Sequence, residues 1–243
     1  MLAFCTLLLA ACKHDTFTIS GTLDGGAGHT LWLEELAPDG PLFIDSIPVD
    51  SQGRFSYRYA MPYRSFYNLH TTDDNFIVTL PDYGEKLTVH GQWENLSLTY
   101  TIDGSPESSL LWELQQQTND GAAVLTDLVD TVTHYHNLLR QGLTDDATVA
   151  AKRQITDSIF LAELELQRDY IAYFIGENKG SLATLIALYK TFNTAPLISV
   201  KDTSNIYYFD QVLEGLRERC PDNPHTVHFQ TTVERMHSAL IPD

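Results

Sequence analysis

The hydrophobic period of this chain changes once, at Ser105, and that change limits the folds open to it. Before Ser105, apolar residues alternate with polar ones. Phe17, Ile19 and Leu23 share a parity, Leu31 and Leu33 flank Trp32, and Phe55, Tyr57 and Tyr59 alternate with Arg54, Ser56 and Arg58. A period of two is the pattern of a half-buried strand. Turn residues punctuate the runs, at Asp24-Gly25-Gly26-Ala27-Gly28 and at Asp50-Ser51-Gln52-Gly53, where Gly53 is placed for positive φ. Further strands are expected at Leu42–Val49, Ser65–His70, Asn75–Leu80, Lys86–His90 and Leu96–Ile102. Each of these about eight strands is too short to be stable alone, and together they can close a core.

After Ser105 the spacing becomes three-four. Ser105-Pro106-Glu107 is a helix start: serine caps, proline fits the first turn, and glutamate faces the positive end of the dipole. Leu111, Leu114, Leu125, Leu128, Val132, Tyr135 and Leu139 then mark one long helix or two collinear ones, interrupted at Thr118 and Gly121. Gly142 and Thr144-Asp145-Asp146 supply a stop and the next cap. Ile155, Ile159, Ala162, Leu166, Tyr170 and Tyr173 form a second stripe, expected to face the first across a short loop. Shorter helices are expected near Ser181–Thr191, Asn205–Arg219 and Pro224–Ser238.

Residues 1–11 are uncharged and almost wholly apolar, and end Leu9-Ala10-Ala11-Cys12. The run is too short to span a bilayer, which takes about 20 residues. It reads as the apolar part of a secretory signal, and its end resembles a bacterial lipobox. That resemblance implies cleavage before Cys12, with lipid on its sulfur and its amine; more than one acyl chain gives stable anchoring. No Lys or Arg precedes the run, so translation is expected to start further upstream. The expected class is α+β. A signal peptide at 1–11 precedes an N-terminal antiparallel β-sandwich or barrel-like domain at 12–104 and an all-α helical region at 105–243. The expected location is the cell envelope of a Gram-negative bacterium, at the outer membrane and held by lipid.

The chemistry is bounded by charge and cysteine count. The 243 residues hold 15 Lys and Arg against 32 Asp and Glu, a net charge of −17. A chain so acidic is a poor partner for nucleic acid or for anionic lipid headgroups. The acidity is spread evenly: 13 acids against 5 bases up to residue 105, and 19 against 10 beyond it. Three cysteines give no disulfide framework and no four-thiolate zinc site. The lipobox resemblance implies that Cys5 leaves with the signal and Cys12 carries lipid, which leaves Cys220, beside Pro221 at an expected helix end.

The order of segments is similar to a family of lipoproteins of Gram-negative gut anaerobes. These carry an N-terminal domain of unknown function, a helical linker, and a thioredoxin-like domain of the peroxiredoxin and thiol–disulfide oxidoreductase type. The resemblance rests on Phe17-Thr18-Ile19-Ser20-Gly21-Thr22-Leu23, on Leu31-Trp32-Leu33-Glu34-Glu35-Leu36, and on Asp45-Ser46 with Val49-Asp50-Ser51-Gln52-Gly53-Arg54-Phe55. It extends to Leu87-Thr88-Val89-His90-Gly91, Ile102-Asp103-Gly104-Ser105-Pro106-Glu107-Ser108, and Phe174-Ile175-Gly176-Glu177-Asn178-Lys179-Gly180-Ser181. In the family the catalytic domain would begin about where these residues end. Thiol–disulfide exchange needs an activated thiolate and a resolving thiol. No C-x-x-C occurs in these 243 residues, so no catalytic residue carries over.

The remaining motifs are modest. His134 and His136 point apart on a helix, while His225 and His228, three apart, are a candidate metal pair without an obvious third ligand. Asp73-Asp74-Asn75 and Asp145-Asp146 are explained by turns and caps. No G-x-S-x-G, P-loop or dinucleotide fingerprint is present. One basic and aromatic cluster stands out: Arg54, Tyr57, Arg58, Tyr59, Tyr63, Arg64, Phe66 and Tyr67. Part of it is expected to be core and solvated strand face. Its sharper reading is a ligand or partner face on Arg54, Tyr57, Arg58, Tyr59, Tyr63, Phe66 and Tyr67, because aromatics and arginine are enriched at interfaces. The expected function is a non-catalytic binding or interaction module, with no cofactor and no metal. The expected partner is an envelope protein or a separate thioredoxin-like domain, and the alternatives are the non-catalytic part of a split or truncated thiol–disulfide oxidoreductase and a glycan-binding lipoprotein.

Overall fold

The structure is a computed structural model that describes residues 15–192 and 194–240. Cys12 and the signal segment lie outside the described residues. The chain divides into two compact units, with the boundary between Ser108 and Ser109. It is α+β, with strands concentrated in the first unit and helices in the second.

The first unit holds two four-stranded sheets. One contains β1 (Thr16–Asp24), β4 (Arg54–Ala60), β7 (Lys86–Gln92) and β8 (Thr101–Asp103), in the order β4-β1-β7-β8. The other contains β2 (Thr30–Ala37), β3 (Gly40–Pro48), β5 (Tyr67–Thr72) and β6 (Asn75–Thr79), in the order β3-β2-β5-β6. Neither sheet closes on itself, so the barrel-like alternative does not hold. The alternation seen in the sequence is the alternation of burial. Phe17, Ile19, Leu23, Leu31, Leu33, Leu69, Leu87 and Val89 are all fully buried. Gly53 takes φ 77 in the turn before β4, and the Asp50 carboxylate accepts the backbone N–H groups of Gln52 at 2.8 Å and Arg54 at 2.9 Å.

Two expectations for this unit need correction. The first sheet is mixed, because β1 pairs antiparallel with β4 but parallel with β7. The chain leaves for the other sheet between these strands, which gives the long crossover that a parallel pair requires. Leu96–Ile102 is not one strand but a single helical turn, α1 (Leu96–Thr99), followed by β8. Side chains impose the turn. Asn75 donates to the Trp93 carbonyl at 2.8 Å and accepts from the Ser97 N–H at 3.0 Å. Thr99 donates from its hydroxyl to the Asn95 carbonyl at 2.8 Å. Local bonds of this kind outcompete a ladder.

Helix α2 (Pro106–Arg140) starts at the end of the first unit. Its first turn is held by Ser105, whose hydroxyl accepts from the Ser108 N–H at 3.3 Å, and by the Ser108 hydroxyl, which accepts the Leu80 N–H at 2.9 Å. The interruption at Gly121 does not break the helix. In the second unit α2 is followed by α3 (Asp146–Glu177), α4 (Ala183–Leu188), a two-residue hairpin of β9 (Thr191–Phe192) and β10 (Ala195–Pro196), α5 (Ile206–Arg219) and α6 (Pro224–Leu240). Asp145 caps α3 by accepting from the Thr148 N–H at 2.7 Å. The core gathers Ile171, Phe174, Leu188, Phe209, Leu216 and Phe229, with the Phe209 and Phe229 rings stacked at 6.2 Å.

The stripe expected to turn α3 toward α2 is on the wrong face. Ile155, Ile159, Leu166 and Tyr173 are exposed, while Val149, Thr156, Ile171 and Phe174 are buried. Gly121 of α2 meets the polar Glu163–Gln167 side of α3. A Cβ there would lie 1.9 Å from the Gln167 amide nitrogen, so the bare glycine lets the Glu163–Gln167 side of α3 approach.

Gly21 in β1 offers a direct check on the first unit, because a Cβ there would sit 1.9 Å from the Val89 carbonyl oxygen. Gly21→Ala should lower the unfolding free energy by more than about 2 kcal/mol in urea titration. Gly28→Ala has φ 77 but open space around it, and should cost only about 1 kcal/mol.

Candidate functional site

The aromatic cluster of the sequence separates into parts once folded. Phe66 is core. Arg54 is exposed and closes the turn by pairing with Asp50 at 2.8 Å. Arg58 is exposed and reaches the Thr16 hydroxyl at 3.2 Å. Arg64 pairs with Asp82 at 3.3 Å and with Glu107 at 3.5 Å. The arginines thus serve separate local contacts and form no basic patch.

The tyrosines converge instead on an acid. Tyr67 of β5 is fully buried and packs on Phe17 of β1 at 4.8 Å between ring centroids. Tyr59 of β4, half-buried, sets its ring edge-on to both, at 5.8 Å from Tyr67 and 6.1 Å from Phe17. Glu35 of β2 lies directly across from Tyr67 in the β2–β5 register and is only 4% exposed. The Tyr63 hydroxyl, on the connection between β4 and β5, donates to the Glu35 carboxylate. The other carboxylate oxygen, Oε1, is buried without a hydrogen-bond partner, and so is the Tyr67 hydroxyl. A second pair lies on the neighbouring strands, where the Tyr57 hydroxyl of β4 bonds the Asp45 carboxylate of β3.

Electrostatics mark the same place. Burial, then donation to Glu35, then the Glu35 charge push the Tyr63 hydroxyl up to about 12 from 10.0. Burial and, after it, Glu35 raise Tyr59 and Tyr67 as well. Among the described residues no Lys, Arg or His forms an ion pair with Glu35. A desolvated carboxylate oxygen beside a desolvated hydroxyl can receive a hydrogen-bond donor and hold positive charge.

Sequence reasoning had not singled out Glu35. Its signal was parity: in Leu31-Trp32-Leu33-Glu34-Glu35, the last glutamate occupies the inward position of a strand whose other inward residues are leucines.

The second unit holds lesser candidates. An open groove of about 410 Å³ between α2 and α3 is lined by Leu128, Val132, His136, Thr156 and Phe160 among others. The Lys190 ammonium donates to the Gln115 side-chain oxygen at 2.7 Å, and burial lowers it to about 8. His225, in the first turn of α6, is lowered to about 4 by burial and secondarily by His228. Cys220 is half-buried, 3.5 Å from the Thr226 hydroxyl. Among the described residues, no group of three or more His, Cys, Asp or Glu is placed to hold a metal ion. No described helix is long and apolar enough to cross a membrane.

No family model matches the chain, and no curated protein matches it.

The Tyr63 proton is held more tightly in the folded state than in the unfolded one. Its contribution to stability is therefore complete below pH 10 and is lost as pH rises toward 12. Tyr63→Phe should show a shallower loss of stability than the native chain between those values, measured by urea unfolding at stepped pH.

Proposed function

We propose that this chain is a lipid-anchored cell-envelope protein, in the outer membrane of a Gram-negative bacterium. Its first unit serves as a non-catalytic binding module whose two sheets are the layers of a sandwich, and its helical unit serves as a scaffold. The anchoring rests on Leu9-Ala10-Ala11-Cys12 at the end of an apolar segment. The binding role rests on one observation above all: Glu35 and Tyr67 hold buried polar atoms without partners beside the half-exposed rings of Tyr59 and Tyr63. Buried polar groups normally find partners within the fold. Where they do not, a ligand that supplies the missing bond is favoured, because the protein has already borne the desolvation.

A glycan is the second candidate ligand class. It is favoured by the two tyrosine–carboxylate pairs, Tyr57 with Asp45 and Tyr63 with Glu35, on one stretch of the first unit. Aromatic faces beside carboxylate acceptors suit a polyhydroxylated ring.

Two measurements test this reading. Cys12→Ala should move the protein from the membrane fraction to the soluble fraction; a variant that stays with membranes defeats the anchoring. The double variant Tyr59→Ala, Tyr63→Ala should lose the ligands that the native chain retains on a panel of glycans and small organic cations. Identical profiles for the two proteins would remove the binding role from this site.

A further inference from the structure

We infer that Glu35, Tyr59, Tyr63 and Tyr67 form a subsite for a primary alkylammonium group, such as the end of a lysine side chain or of a free amine. This rests on the binding-module reading and names the ligand class that the site prefers.

The donor inventory selects that class. Glu35 is 4% exposed and its Oε1 has no hydrogen-bond partner. The Tyr67 hydroxyl, 0% exposed at the residue level, has none either. An R–NH₃⁺ group carries three donors and one positive charge. One N–H satisfies Glu35 Oε1, a second is accepted by the Tyr67 oxygen, and the third remains for the Tyr59 hydroxyl or solvent. The charge meets the carboxylate, and the tyrosine ring faces add a cation–π attraction.

The competing classes fit less well. A quaternary ammonium has no N–H and leaves Oε1 unsatisfied. A guanidinium binds a carboxylate best in fork geometry, using both oxygens, but Tyr63 already donates to this one. A neutral hydroxyl can donate to Oε1 yet leaves the carboxylate charge without an opposite charge. The cost of burying an ion pair is mostly desolvation, and for Glu35 that cost is already met in folding.

Tyr63 is the reporter. It is half-exposed, belongs to the β4–β5 connection rather than to a strand, and bonds the same carboxylate that the ligand must reach. An incoming ammonium takes Oε1 and leaves the Tyr63 bond to the other oxygen in place. Binding should therefore be read first at the Tyr63 ring.

The test is a titration of the full chain, labelled with ¹³C in its tyrosine rings, with n-butylammonium, tetramethylammonium and 1-butanol. Butylammonium should shift the Tyr59, Tyr63 and Tyr67 resonances saturably, with a Kd on the order of millimolar for so small a probe. 1-Butanol and tetramethylammonium should each bind at least about tenfold more weakly. Glu35→Gln should weaken butylammonium at least about tenfold. Tyr67→Phe, which removes one oxygen and leaves the ring packing, should weaken it by about threefold and decides the matter if Glu35→Gln does not fold. The inference is overturned if Glu35→Gln or, in its place, Tyr67→Phe binds like the native chain, if butanol binds as tightly as butylammonium, or if no saturable shift occurs up to about 100 mM probe. Tyrosine-dependent glycan binding without ammonium binding would sink this inference alone. The absence of both would sink the binding module with it.

Discussion

The contact on which the first unit depends is the ring cluster of Phe17, Tyr59 and Tyr67. It joins β1 and β4 of one sheet to β5 of the other. Every strand here is too short to stand alone, so the strands depend on side-chain contacts of this kind. Phe17 and Tyr67 are buried to within 1% of completely. Fully burying a side chain of this size stabilises by about 1.5–3 kcal/mol. An unsatisfied buried oxygen costs about 1–3 kcal/mol. The two terms are of similar size, and the unpartnered atoms of Glu35 and Tyr67 sit beside the rings that offset them.

Charge is organised around that cluster in a way composition conceals. A net charge of −17 suggests carboxylates spread outward into water, and most of them are. Glu35 and Asp45 are exceptions, each bonded by a tyrosine hydroxyl. The bases of the neighbouring sequence do not answer them. Arg54 and Arg64 bond other acids and Arg58 bonds a threonine hydroxyl. The face that looks basic in the sequence is, in space, a row of tyrosines over acids.

What could be read from the sequence, and what could not, follows from the range of the forces involved. β1, β2 and β4 were legible because alternation is imposed by a sheet that buries one side. The turn at Gly53 was legible because its left-handed backbone asks for glycine. The start of α2 at Ser105-Pro106-Glu107 was legible because capping is local. The turn at Leu96–Thr99 was hidden because Asn75, some twenty residues away, holds it. The orientation of α3 was hidden because that helix carries apolar residues on two faces. The tyrosines of the candidate site were visible as a cluster; their acid was not, since a lone glutamate in a strand is usually on the wet side.

Glu35 breaks the local rule most plainly, and its neighbours show what obeying the rule would look like. Leu31 and Leu33 precede it on the same inward parity, and Leu69 sits beside its cross-strand partner Tyr67. A leucine at 35 would extend an apolar strip already in place, spare a desolvated charge, and leave Tyr63 facing solvent. Stability alone favours that residue. A carboxylate there instead fixes Tyr63 over the cluster and keeps one oxygen ready for a donor. Departures from local consistency tend to fall where a protein does its work. Glu35 is such a departure, and it lies between a buried hydroxyl, that of Tyr67, and a half-exposed one, that of Tyr63.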